Sequence, residues 1–415
     1  MQGQNLVNIM ENLLRSNITK IQIMGFFQAF TPVVPIFVPL VQANDLSMMQ
    51  IMQAQAIFAF TIAMAEVPSG YLADSWGRKN TLILGSVLLA IGWIWFCFAT
   101  SFSGLIVYEV LMGIALSLFS GTDLAMLYDS QAAINKTSIH AGAVDSSASK
   151  LVSIKAFAEA AAAFGASILM IFSIAWVAPI QAVTAIVPLL IALSLVEPMR
   201  ESSLVSHKDN LRNMVCAVTN SPIVMWTIAV IISFGLATIV GFWTLQKYWQ
   251  HNDIAIENYG YIWAFYCLIV SLSARGAVNA ERRLGVKNLL LLMIVFAIAA
   301  FVGMALSSGW IGILIGGLFQ VSRGFYHVVF FDALNRRLAS EYRATINSIT
   351  SLGIRAIFIV CGPALGFVID QYGITVALWA IAGLFTPTLG IILVVLTRCI
   401  SKGERENTTT ALATN

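Results

Sequence analysis

The sequence predicts an all-α membrane protein: twelve transmembrane helices in two pseudo-symmetric six-helix bundles. Three observations carry this. The 415-residue chain is 59% hydrophobic and only 10% charged, with a mean hydropathy of +0.84. A soluble domain holds about 25% charged residues, so a chain this poor in charge must be solvated by lipid. A spanning helix needs about 20 mostly apolar residues, and twelve such stretches follow one another. Features of the first half also return roughly 200 residues later, as an internal repeat would require.

The spans fall at about 17–41, 47–73, 79–101, 103–133, 143–172, 174–196, 220–249, 256–280, 286–307, 309–337, 343–371 and 373–399. Pro32, Pro35 and Pro39 free backbone carbonyls in the first span and let it bend. That span has no A-x-A cleavage pattern and leads into many more, so it reads as a retained helix rather than a signal peptide. The longest polar stretch between spans begins at Val196-Glu197-Pro198-Met199-Arg200. The expected organisation is a first bundle over 1–196, a cytoplasmic linker over 197–219, a second bundle over 220–400 and a disordered cytoplasmic tail over 401–415.

Orientation follows from the basic residues. Arg15, Lys20, Arg78, Lys79, Lys136, Lys150, Arg200, Lys208, Arg212, Arg282, Arg283, Lys287, Arg336, Arg337, Arg343, Arg398, Lys402 and Arg405 fall on one side when both termini lie inside, and only Lys247 lies near the outer loops. Under the positive-inside rule this places both termini in the cytoplasm, and the localisation expected is multi-pass in the cell inner membrane.

Several classes are excluded. A net charge of +3, spread over short loops, does not suit nucleic acid. Cys97, Cys216, Cys267, Cys361 and Cys399 form no C-x-x-C pair and read as small packing residues, not as a metal or redox site. No H-E-x-x-H or G-x-x-x-x-G-K-[ST] occurs, so zinc hydrolysis and self-contained ATP hydrolysis have no support. No nucleophile–base spacing stands out, and neither an enzyme nor a cofactor is expected.

The densest cluster of charge and glycine between apolar segments is Gly70-Tyr71-Leu72-Ala73-Asp74-Ser75-Trp76-Gly77-Arg78-Lys79-Asn80. Gly77 permits a tight reversal, and Arg78 and Lys79 hold the turn on the cytoplasmic side. The stretch resembles the signature loop between helices two and three of the major facilitator superfamily, G-x-L-A-D-R-x-G-R-K. Ser75 stands where that family usually has arginine. Glu66-Val67-Pro68-Ser69 extends the match. A worn second copy reads Glu281-Arg282-Arg283-Leu284-Gly285-Val286-Lys287, and the spacing from Gly121 to Asp129 returns from Gly324 to Asp332.

The resemblance covers nearly the whole chain. Leu127-Tyr128-Asp129-Ser130, Leu334-Asn335-Arg336-Arg337 and Gly362-Pro363-Ala364-Leu365-Gly366 are similar to a bacterial drug–proton antiporter-like branch. The G-x-x-x-G-P-x-x-G-G run of many drug antiporters is missing from helix five, where Ala158-Glu159-Ala160-Ala161 stands instead. The resemblance implies alternating access, with the loop residues Gly70, Asp74, Gly77, Arg78 and Lys79 at a cytoplasmic gate; Glu66 and Arg275, at equivalent depths in helices two and eight, and Asp129, toward the cytoplasmic end of helix four, read as gate residues as well. It also implies that Asp74 docks on the N-terminus of helix eleven, near Arg343-Ala344-Thr345.

Charge inside a bilayer costs about 3 kcal/mol or more, so each buried case is a candidate. Glu159 lies near the midplane of helix five, with Lys155 one turn earlier. The two read either as an ion pair or as a proton-coupling carboxylate beside a substrate-binding lysine. Glu109 is a second proton-coupling candidate or a packing defect. Asp123 is a third, or a latch to Arg78 or Lys79, the partners also expected for Asp129. Arg323 and Arg355 keep their charge and must meet a carboxylate, a carbonyl or an anionic substrate. With Lys155 they favour an anionic or zwitterionic solute. His327 reads as a substrate contact or as a packed, uncharged imidazole. Phe30, Trp243 and Tyr266 could line a cavity or face neighbouring helices.

The function expected is proton-coupled secondary transport of a small organic solute, export ahead of import. Import of an anionic metabolite or iron–siderophore is the alternative, and a transport-inactive receptor or scaffold is the alternative of another class. The partners expected are a small-molecule substrate, protons and the lipid bilayer, with no nucleic acid, no metal and a monomeric chain.

Overall fold

Long apolar runs without β-branched alternation leave the backbone one solution in lipid, the helix, because every N–H and C=O must be satisfied within its own segment. The computed structural model describes residues 2–135, 144–198, 221–338 and 340–413, and these contain helices and turns and no strand. The first half comprises α1 (Gln2–Ala29), α2 (Phe37–Gln42), α3 (Met48–Ser75), α4 (Arg78–Phe96), α5 (Phe102–Phe119), α6 (Thr122–Asn135), α7 (Val144–Phe172), α8 (Val177–Thr184) and α9 (Val187–Leu193). The second comprises α10 (Pro222–His251), α11 (Tyr259–Leu306), α12 (Gly309–Arg336) and α13 (Ser340–Ala413).

Ten stretches are long and apolar enough to cross a membrane, and two of them, at 51 and 55 residues, are twice the length one crossing needs. Each long one turns at a glycine of positive φ: Gly285 (φ 76°, ψ 158°) in α11 and Gly373 (φ 83°, ψ 168°) in α13. Eight stretches therefore cross once and two cross twice, which gives the twelve spans predicted. Gly77 holds a similar conformation (φ 102°, ψ 148°) between α3 and α4. The signature loop and its worn copy thus share one backbone geometry, forbidden to residues with a Cβ.

The structure departs from twelve continuous rods in three places. The first span ends at Ala29 and resumes at Phe37, across Pro32 and Pro35. The sixth is two short helices, with Pro188 opening the second. The fourth, expected unbroken over 103–133, divides at Ser120–Gly121, where Gly121 adopts φ 78°.

The chain forms two compact units: Met1–Ser203 with Ala255–Ala264, and Leu204–Ile254 with Phe265–Asn415. In the first, α3, α4 and α5 pack around Ile51, Met52, Leu89 and Leu105. Small residues let the backbones approach: a Cβ at Gly113 would sit 2.8 Å from Thr61. In the second, Phe234, Tyr326 and Phe330 are buried, with the Phe234 and Tyr326 rings stacked at 5.8 Å. Large apolar side chains point outward, Phe172 at 78% exposure and Phe98 at 76%, a surface suited to lipid rather than water. Beyond Pro198 the linker lies outside the described residues, as do Lys136 and Cys216. The last helix runs on to Ala413, into the stretch assigned above to a polar tail.

Candidate functional site

The signature loop is built by a helix ending, a glycine turn and a helix beginning. α3 continues through Pro68 to Ser75, and the Trp76 N–H closes it on the Leu72 carbonyl. Gly77 reverses the chain, and α4 starts at once with unsatisfied N–H groups at Arg78 and Lys79. Glu197 supplies the missing acceptors. Its two carboxylate oxygens take the Arg78 N–H at 2.9 Å and the Lys79 N–H at 2.6 Å. A negative charge there also complements the helix dipole. Ser75, in the position of the family's arginine, turns its hydroxyl back to the Tyr71 carbonyl at 2.8 Å. Gly70 faces open space, and Asp74 is exposed. The Glu66 side chain is half-buried and makes no hydrogen bond or ion pair with the described residues.

The segment carrying Glu197 is itself held to α1. Asn17 donates to the Val196 carbonyl at 2.7 Å and accepts the Val196 N–H at 3.1 Å, while Lys20 donates to the Ser194 carbonyl at 2.7 Å.

Two ion pairs tie α6 to its surroundings. Asp129 meets Arg78 at 2.8 Å, one of the two partners expected for it. Asp123 meets neither Arg78 nor Lys79: it is buried at 4% exposure and pairs with Lys155 of α7 at 2.5 Å. Its other oxygen accepts the Leu124 N–H at 2.7 Å. The alternative in which Lys155 pairs with Glu159 is therefore corrected. The lysine stem lies over Gly25 of α1, where a Cβ would sit 3.1 Å from its Cε, and it reaches across to α6 rather than along its own helix. Glu159 instead accepts from the Trp263 indole N–H at 3.4 Å.

Glu109 is the most enclosed carboxyl group here, at 2% exposure in α5. It accepts one hydrogen bond, from the Gln55 amide of α3, at 2.5 Å. The neighbouring Tyr108 belongs to an aromatic cluster with Phe37, Trp93 and Phe96. The carboxyl group thus meets one neutral amide and no cation among the described residues. Phe30 stacks on Phe26 at 5.7 Å, and Phe26 also meets Phe157 of α7.

In the second unit, Arg323 is half-buried in α12 and makes no hydrogen bond or ion pair with the described residues. His327, one turn on, stacks on Phe331 at 5.2 Å and lies 5.0 Å from the Tyr326 ring. Tyr266 is buried and donates its hydroxyl to the Ile313 carbonyl at 2.7 Å. Trp243 meets Phe242 edge-on at 4.6 Å. Arg355 is half-buried in α13 and Arg275 exposed in α11. Asp332, the repeat counterpart of Asp129, pairs with Arg336 of its own helix, and Arg282 and Arg283 stay exposed. The tie between loop and helix is therefore present in the first copy and lost in the second.

Sequence reasoning missed Gln55 as a partner for Glu109 and Glu197 as a cap for α4. The signal for Gln55 is an amide pair, Gln53 and Gln55, in the otherwise apolar run Ile51-Met52-Gln53-Ala54-Gln55-Ala56-Ile57. Glu197 gives none, because its partner is a backbone 118 residues away.

A twelve-span helical chain with carboxylates and basic groups buried inside its spans belongs to the polytopic membrane transporters. The sequence matches the Major Facilitator Superfamily over residues 21–355. The chain is a member of that superfamily, and its role is transport rather than enzymatic catalysis.

Solved structures share the fold. A mutant of the nucleoside transporter NupG superposes with a TM-score of 0.77 at 12% identity, covering 91% of this chain and 99% of the other. A D-xylose–proton symporter gives 0.67 at 12% identity over 92% and 97%. A bacterial homolog of the human lysosomal transporter Spinster, inward-facing and unoccupied, gives 0.65 at 15% identity over 94% and 95%. At these identities the likeness is one of fold alone. A search of curated protein sequences finds no match.

Proposed function

We propose that this protein is a proton-coupled secondary transporter that moves a small anionic or zwitterionic organic solute by alternating access. The observation that carries the reading is Glu109, 2% exposed and held by the Gln55 amide. Ionised, it would be a buried charge without a cation; protonated, it is a satisfied neutral group. A proton there can be exchanged with the conformational cycle. Glu159 and Asp123 are the other coupling candidates. One solved structure of this fold is, by its name, a D-xylose–proton symporter, which supports the reading.

The solute class rests on Arg323, a permanent cation within a span and without a counter-ion among the described residues. Arg355, Lys155, His327, Trp243, Phe30 and Tyr266 complete the proposed substrate contacts. Glu66, Gly70, Asp74, Gly77, Arg78, Lys79, Asp129 and Arg275 form the proposed gate. Both termini and the signature loop are cytoplasmic in this reading, the membrane is the inner membrane, and two six-helix bundles, 1–196 and 220–400, rock about the site. Export as an antiporter follows from the resemblance to the drug–proton branch.

Flux into proteoliposomes of opposite orientation, under an imposed pH gradient, tests this. A gradient-driven movement of organic anions, abolished by Glu109→Gln, is expected. If no gradient moves any solute, the receptor or scaffold reading takes its place; uptake running with the proton gradient would make the protein an importer.

A further inference from the structure

We propose that α6 is a separately hinged lower half of the fourth span, which carries the state of Lys155 to the signature loop. The inference rests on the reading of Lys155 and Asp123 given above and adds the part that moves. Four observations converge on it. The fourth span is interrupted at one point, with Ser120 at ψ 113° and Gly121 at φ 78°. The helical ladder stops at the Ser120 N–H on Leu116 and restarts at the Ala125 N–H on Gly121. Between them, the Leu124 N–H is taken by the Asp123 side chain. A Cβ at Gly121 would meet nothing within 4 Å, so the glycine is required by backbone conformation and not by lack of space.

The two ends of the lever are tied to different things. Asp123, next to the pivot, holds Lys155. Asp129, about 9 Å further along the axis, holds Arg78 of the signature loop. Ser130 adds a hydrogen bond from Asn17 at 3.3 Å. Above the pivot, α5 is anchored independently by Glu109 and Gln55. The two halves of one span thus answer to different partners.

The charge logic sets the direction of the signal. An anionic solute that draws Lys155 away leaves the Asp123 carboxylate at 4% exposure without its cation. A buried charge that loses its partner is strongly disfavoured, so the Asp123 carboxylate is driven to swing toward water. That movement releases the pivot end of α6, and the Asp129–Arg78 pair passes the displacement to the loop.

The second half of the molecule lacks this device. α12 runs unbroken from Gly309 to Arg336. Its Gly324 is fixed by packing, since a Cβ there would lie 2.6 Å from the Val270 carbonyl oxygen. Its Asp332 is spent on Arg336 of the same helix.

Hydrogen–deuterium exchange on the full-length protein in nanodiscs tests the lever. Asp123→Asn should speed exchange roughly threefold or more in peptides covering 122–135 and 74–80, with 102–119 unchanged. Asp123→Glu, which keeps the ion pair, should match the unmodified protein. In an Arg78→Gln background, Asp123→Asn should still loosen 122–135 but no longer alter 74–80. The proposal is overturned if 74–80 ignores Asp123→Asn, or if 102–119 loosens with 122–135, because the span then moves as one rod. Lys155→Met makes the same cut from the other side should Asp123→Asn not fold. Unchanged exchange in Asp123→Asn, with gradient-driven flux present in the unmodified protein, would overturn the lever and leave the transport reading standing. A working lever in a protein that couples to no gradient would do the reverse.

Discussion

The Lys79 backbone N–H lies 2.6 Å from a carboxylate oxygen of Glu197, so the segment leaving the sixth span closes the helix that the signature loop opens. The same side chain takes the Arg78 N–H. A side-chain cap of this kind contributes about 1 kcal/mol, part of it from the helix dipole and weakened by salt. Glu197→Ala should lower stability by about that amount, and Glu197→Gln by less. Thermal unfolding of the purified protein in detergent measures it. An alanine variant that unfolds at the unmodified temperature would remove Glu197 from the account of the loop.

The two glycines of the loop should behave oppositely. Gly77 sits at φ 102°, ψ 148°, close to a region that only glycine occupies readily, and forcing a side chain there costs about 1–3 kcal/mol. Gly70 is helical with open space where a Cβ would project, and alanine is a better helix former by up to about 1 kcal/mol. Gly77→Ala should therefore destabilise the protein, while Gly70→Ala is neutral or stabilising. The same unfolding measurement separates them.

Glu109 and Gln55 can be separated by the same logic of satisfied groups. Glu109→Gln keeps an acceptor for the Gln55 amide, so the fold should survive with a change under about 1 kcal/mol, while gradient-driven flux disappears. Glu109→Leu leaves that amide buried without its acceptor and should cost about 1–3 kcal/mol. Equal flux in the unmodified protein and Glu109→Gln would assign the group to structure alone.

Lys155 and Asp123 should be strongly non-additive. Removing one partner strands the other, whereas removing both strands neither. In a cycle of Lys155→Met, Asp123→Asn and the double variant, the coupling should exceed about 1 kcal/mol. Chemical denaturation in mixed micelles reads it. Additive losses would mean that the pair contributes no net stability.

Much of the fold is legible in the residues because lipid leaves so few options. Spans, repeat, turn glycines and family marker could all be read, and Gly77 and Gly285 adopt the left-handed conformations their positions imply. The partners of the charges were much less legible. Lys155 and Glu159 stand one turn apart and suggest a pair, yet Gly25 of another helix opens the path by which Lys155 reaches Asp123. No spacing rule contains that information.

By itself the sequence determined that this chain lives in a membrane, crosses it twelve times and belongs to a transporter superfamily. Those properties follow from composition, segment length and a contiguous motif, all of which act along the chain. Only the tertiary structure decided that the fourth span is broken at Gly121, that Asp123 answers to Lys155 while Asp129 answers to Arg78, and that Glu197 caps the signature loop. The physical reason is reach. A hydrogen bond or ion pair forms within about 3 Å, and which groups come that close depends on how separate helices pack, not on their order in the sequence.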